Sequence, residues 1–169
     1  MSVYENPRTT GVTFSDRLLA RVCALEGIAS VKIAPVPADP EGASRRISTV
    51  RALLPRGVTV GVSGDPTAAV GLTAGADAWY SVLAGLLPGP CLEITRAAAA
   101  GDARTALAIS DSLSALWELM LAHGSLRVVS AVATELGLAP TGALPRPLLP
   151  LDQAAHARIR AALAGVRGS

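Results

Sequence analysis

One amine dominates the chemistry this chain could do. Of its 15 basic side chains, 14 are Arg and a single one, Lys32, is Lys. Lys32 lies in Ile28-Ala-Ser-Val-Lys-Ile-Ala34, an apolar run with β-branched residues. Apolar neighbours withhold solvation from an ammonium group and lower its pKa. A neutral amine can attack a ketone and form an iminium, an electron sink for making or breaking carbon–carbon bonds. The competing reading is a lysine at a strand end whose ammonium snorkels to water.

Other residues could serve that amine. Tyr4 ends a short β-like stub and opens Tyr4-Glu-Asn-Pro-Arg-Thr-Thr-Gly11, a loop bounded by Pro7 and Gly11. A phenol there could relay protons during carbinolamine formation. A Tyr that merely closes a core edge is the alternative. Ser63-Gly64-Asp65-Pro66 reads as a turn opening a short helix, with Asp65 as N-cap and Pro66 at the first helical position. Such a turn could offer backbone N–H groups to a carboxylate, or it could be routine capping. Tyr80 and Ser81 end another strand and could line a pocket, with half-buried core as the alternative. His123 and His156 lack ligand spacing, so no metal is expected. No cofactor fingerprint occurs, neither a P-loop nor a dinucleotide motif. Trp79 and Trp117 read as packing residues.

The elements that would position these groups change character along the chain. The first half alternates strands with helices: a strand stub at 2–4, a helix from Thr13 or Ser15 to Leu25, a strand at 28–33 and a helix at 42–54. A strand at 58–62, the short helix after Asp65 and a strand at 78–82 follow. This alternation predicts βαβ units and a parallel sheet. Strand phase matters. Val31 and Ile33 share one face, Ser30 and Lys32 the other. Val60 and Val62 likewise oppose Thr59, Gly61 and Ser63. Late positions on the polar face of a barrel strand are where catalytic groups sit. Beyond about residue 88 only helices are expected, at 90–100, 103–121, 126–136 and 152–166, with an extended proline-rich arm at 140–150.

Composition bounds the rest. The chain has 169 residues, half of them apolar, and a formal charge of +2. That is enough for one packed core. No basic run or basic–aromatic patch points to nucleic acid. No stretch of about eighteen apolar residues points to a membrane. The polar N-terminus lacks the apolar core of a secretory signal. Cys23 and Cys91 read as reduced packing residues, which predicts a cytoplasmic setting.

Taken together the motifs resemble the dihydrodipicolinate synthase and N-acetylneuraminate lyase family of class I, Schiff-base-forming, pyruvate-dependent aldolases. Tyr4-x-x-Pro7-x-x-Thr10-Gly11 is similar to that family's loop after strand five. Ile28-Ala-Ser-Val-Lys32 is similar to its strand six. Ser63-Gly64-Asp65 resembles the strand-seven turn, residues 76–81 the end of strand eight, and 135–138 and 146–151 the closing helical segment. The resemblance implies the C-terminal half of a (β/α)8 TIM barrel, strands five to eight, in residues 1–88, followed by a helical extension in 89–169. It implies Lys32 as the Schiff-base lysine and Tyr4 as the proton relay. Thr9, Thr10, Ser63, Gly64 and Tyr80 are then expected around the substrate. The implied partners are a 2-oxo acid such as pyruvate and an aldehyde, with a homo-oligomer and no cofactor.

Departures accompany the match. The family barrel needs about 250 residues, and counterparts of strands one to four are expected to be missing. The family loop that grips the keto-acid carboxylate lies in that part, and the tyrosine contributed across its dimer has no counterpart here. Glu5 stands where the family has Asn. The arginine expected two positions after Pro7 falls on Thr9, with Arg8 one place earlier, which favours another 2-oxo-acid aldolase or lyase over a lysine-biosynthesis enzyme. The second expectation is therefore a non-catalytic or split half-barrel that acts only with another chain, since open strand edges invite pairing.

Overall fold

The computed structural model describes residues 1–167. Four parallel strands form one sheet in the order β1 (Ser2–Tyr4), β2 (Ser30–Ile33), β3 (Thr59–Val62) and β4 (Ala78–Trp79). Between β1 and β2 lie α1 (Pro7–Thr10) and α2 (Asp16–Cys23). α3 (Pro40–Leu53) joins β2 to β3. A 3-10 turn at Asp65–Thr67 and α4 (Ala68–Thr73) join β3 to β4. A second 3-10 turn at Leu83–Gly85 leads into α5 (Pro88–Ala99), α6 (Ala103–Ser112), α7 (Ser114–His123), α8 (Ser125–Glu135) and α9 (Gln153–Arg167).

Local chemistry starts the helices. The Ser15 hydroxyl accepts the Leu18 N–H at the head of α2, and the Asp39 carboxylate accepts the Gly42 N–H at 2.7 Å at the head of α3. Pro40 follows Asp39, preset for the first helical position. The strands obey the expected alternation. Val31, Ile33, Val60 and Val62 are fully buried against Leu19, Ile47 and Val50 of α2 and α3. The opposite face of the sheet carries Ser30, Lys32, Thr59 and Gly61. A second apolar cluster joins Leu72 and Leu83 to Ile94, Leu116, Leu119, Val128 and Ile159 of the later helices. Trp79 packs against both clusters.

Several boundaries differ from expectation. Helix α3 begins at Pro40, not at 42, because the Asp39 cap precedes it. The loop after Tyr4 contains a helical turn, α1. Leu25, expected on an apolar helix face, is 62% exposed because α2 ends at Cys23. Asp65 is not an N-cap; Gly64 holds that position, and the Asp65 side chain turns toward the end of β4. β4 spans two residues; the Tyr80 N–H still reaches the Val62 carbonyl, and Ser81 and Val82 lie beyond the ladder. The helix expected at 103–121 is two helices bent by 63°. The Ser110 carbonyl accepts the Leu113 N–H and the Trp117 indole N–H, at 3.0 and 2.9 Å, and so leaves the regular helical ladder. Among the described residues no single helix is long and apolar enough to cross a membrane.

Candidate active site

Parallel register brings the two principal side chains together. Tyr4 of β1 stands opposite Lys32 of β2, and Lys32 stands opposite Gly61 of β3. Residues paired this way project to the same face. The Glu5 N–H continues the ladder onto the Lys32 carbonyl at 2.9 Å, which fixes both residues at the sheet's C-terminal rim. Lys32 Nζ lies 4.1 Å from the centroid of the Tyr4 ring and 5.5 Å from that of Tyr80. Lys32 and Tyr80 are half-buried, and Tyr4 is 46% exposed.

These groups open onto a cavity of about 830 Å³. Tyr4, Thr9, Lys32, Ser63, Gly64 and Tyr80 all line it. Thr10 does not line it: its hydroxyl donates to the Asn6 carbonyl at 2.9 Å inside the turn. The Thr9 hydroxyl accepts from the Asn6 amide at 2.9 Å, which leaves its own proton available to an anion. The Ser63 hydroxyl is committed elsewhere. It is buried and donates to the Ile33 carbonyl at 2.6 Å, tying β3 to β2 just past Lys32. Gly64 adopts φ +81° and packs on Pro35, where a Cβ would come within 2.7 Å of the ring. Only glycine suits both demands.

Two buried carboxylates brace this rim, and their roles were not evident from the sequence. Asp65, 3% exposed, accepts from the Trp79 indole N–H, the Ser81 hydroxyl and the backbone N–H groups of Val82 and Leu83. Glu5, 6% exposed, pairs with Arg46 at 3.5 Å and accepts the Ala34 N–H at 3.4 Å. Arg46 in turn pairs with Asp16 at 3.0 Å. Acidic residues near turns were legible; their partners, 14 to 41 positions away, were not. The far wall of the cavity comes from the α7–α8 corner, including Met120, His123 and Leu126. No motif signals that wall, because it forms only when the second half of the chain folds onto the sheet. Among the described residues, no three His, Cys, Asp or Glu side chains gather in a way that could hold a metal.

Four parallel strands linked by helices, with polar side chains gathered at the C-terminal rim of the sheet, match the α/β architecture of a TIM barrel. The model of the dihydrodipicolinate synthetase family matches residues 1–165, and the chain belongs to that family. It is 31% identical over 161 residues to the 4-hydroxy-tetrahydrodipicolinate synthase of Methylococcus capsulatus, covering 95% of this chain and 53% of that protein. The dihydrodipicolinate synthase structure from Agrobacterium tumefaciens superposes with a TM-score of 0.91 at 39% identity, over 98% of this chain and 55% of that one. The chloride-inhibited enzyme from Acinetobacter baumannii, solved in complex with pyruvate, gives 0.83 at 25% identity, over 98% and 55%. The chain thus spans about half the length of the relatives it matches.

Proposed function

We propose that Lys32 forms a Schiff base with a 2-oxo acid, pyruvate in the simplest case, as the first step of an aldolase- or synthase-type reaction with an aldehyde. The observation that carries this reading is the pairing of the sole lysine with Tyr4 across β1 and β2, at the rim of a cavity of about 830 Å³. The Lys32 amine adds to the keto carbon. The Tyr4 phenol relays a proton to the carbinolamine oxygen, and water leaves to give the iminium. Loss of a methyl proton then yields an enamine, whose carbon attacks the aldehyde. Thr9 and the Gly64 turn are the groups proposed to hold the keto-acid carboxylate. The committed Ser63 hydroxyl makes that residue a brace for the turn, and Thr10 braces the loop. Tyr80 lines the cavity beside Lys32.

In this reading β1 to β4 correspond to strands five to eight of the family barrel. The order supports it, since the tyrosine strand precedes the lysine strand and five helices follow the fourth. Residues 1–88 are then barrel and 89–167 helical extension; the last two residues of the expected extension, 168–169, lie outside the described residues. Two buried, unpaired cysteines suit a reducing, cytoplasmic setting. The outer edge of β1 has no strand partner among the described residues, and Tyr4 stands half open beside it. A homo-oligomer is part of this proposal, and the half-length match favours a second reading in which the site works only together with another polypeptide.

Enamine formation exchanges the pyruvate methyl protons, so the first half-reaction can be watched without knowing the aldehyde. In D₂O the chain is expected to deuterate pyruvate by NMR, and Lys32→Arg to abolish this, because a guanidinium stays protonated. Exchange that survives in Lys32→Arg refutes the mechanism. No exchange by the native chain alone favours the second reading.

A further inference from the structure

We infer that Tyr80 is a positioning residue that aims the Lys32 amine, acting with Gly61 and Ser30 as one unit; this rests on the lysine-based function proposed above. β4 ends at Trp79, and Tyr80 hangs from the sheet by its N–H, which donates to the Val62 carbonyl at 3.0 Å. The next residues cannot extend the ladder, because Asp65 takes the N–H groups of Val82 and Leu83. From that bend the Tyr80 ring folds back across β3. Its hydroxyl reaches Ser30 Oγ on β2 at 2.8 Å, two residues before Lys32 on the same face. The ring lies on Gly61, where a Cβ would overlap its Cε2 and come within 2.7 Å of its Cδ2. Gly61 is itself the register partner of Lys32.

The amine is therefore flanked by two rings, Tyr4 from the preceding strand and Tyr80 lying over the following one. An ammonium near aromatic rings is attracted by their quadrupoles. The same walls limit the rotamers of a long, flexible side chain. Reaction rate falls steeply when a nucleophile is misplaced by about 1 Å. With its hydroxyl engaged by Ser30, Tyr80 acts on the reaction through Lys32 and not as a substrate ligand.

The sole lysine makes the test direct. Reductive methylation with carbon-13 formaldehyde labels only Lys32 and the N-terminal amine, and Lys32→Arg identifies which signal is which. The Lys32 methyl signal is expected upfield of that of a free lysine, through the ring currents of Tyr4 and Tyr80. Tyr80→Leu should move it toward the free position, and Tyr80→Phe, which keeps the ring, should retain most of the shift. In borohydride trapping of pyruvate, Tyr80→Leu should lower the limiting rate roughly tenfold while leaving the half-saturating concentration unchanged. An identical methyl signal in native protein and Tyr80→Leu overturns the inference. So does a change confined to half-saturation, which would make Tyr80 a substrate contact. If Tyr80→Leu does not fold, Gly61→Ala, whose methyl lifts the ring, supplies the same readings. Absence of any pyruvate adduct on the native chain defeats the functional reading separately, and the methyl signal then still decides whether Tyr80 holds the amine.

Discussion

Asp65 is where the account of the rim is most exposed to experiment. Its carboxylate is buried and accepts from Trp79 Nε1 at 3.1 Å, Ser81 Oγ at 3.2 Å, Val82 N at 3.1 Å and Leu83 N at 2.8 Å. An amide in its place keeps one acceptor oxygen. Turned to keep Leu83, it points its NH₂ group at the indole N–H, donor against donor. A hydrogen bond to a charged acceptor contributes about 1.5–3 kcal/mol, so Asp65→Asn should cost about 2 kcal/mol. Asp65→Ala removes every acceptor and strands several donors, for a loss of about 4–5 kcal/mol. That approaches the whole stability of a chain this size, about 5–15 kcal/mol. Urea unfolding followed by far-UV circular dichroism measures both. A loss below about 0.5 kcal/mol for Asn, with an unchanged urea slope, would show that the carboxylate does not hold the segment after β4.

Three further outcomes are expected. Burial, opposed by a Ser81 contact and reinforced by the Asp65 charge, pushes the Cys91 thiol up to about 11 from 9.0. Its thiolate at neutral pH should be about a hundredfold rarer than that of an ordinary thiol, so disulfide reagents should label it slowly until urea unfolds the chain. The folded value lies above the unfolded one, so the stabilisation is complete below pH 9 and fades as pH rises toward about 11. Glu135 accepts from His156 at 2.6 Å and pairs with Arg160, and these contacts, His156 first, hold its carboxyl below the ordinary 4.5. That stabilisation is present above pH 4.5 and lost as pH falls below it, so Glu135→Gln should flatten the acid limb of a thermal-stability profile. Finally, Asp39→Ala removes the cap on the Gly42 N–H and should cost about 1 kcal/mol in urea unfolding.

What the sequence made legible follows period and register. The alternation in Ser30–Ile33 and Thr59–Val62 identified both faces of the sheet, and with them the side on which Lys32 stands. Tyr4 could be placed beside Lys32 because consecutive strands in such units usually neighbour each other. The short β4 was not legible. Ala78 to Val82 carries a strand-like composition, but the distant Asp65 carboxylate takes the N–H groups of Val82 and Leu83. The break between α6 and α7 has no proline or glycine to announce it. It comes from Trp117 reaching back to the Ser110 carbonyl, a contact that depends on the core around Leu113 and Leu116. Glu5 reads as a loop acid until Arg46 and the Ala34 N–H appear beside it. Ser63 lines the cavity, but its bond to the Ile33 carbonyl, 30 positions away, is announced by no motif.

Borohydride trapping of the native chain with pyruvate, followed by peptide mass mapping, probes the central claim most directly. Hydride addition to the iminium carbon leaves a stable secondary amine at the lysine. The predicted result is one carboxyethyl group on the peptide containing Lys32, absent without pyruvate and absent from Lys32→Arg. An unmodified Lys32 peptide, or label on the N-terminal amine alone, would contradict the claim that this lysine is a Schiff-base nucleophile.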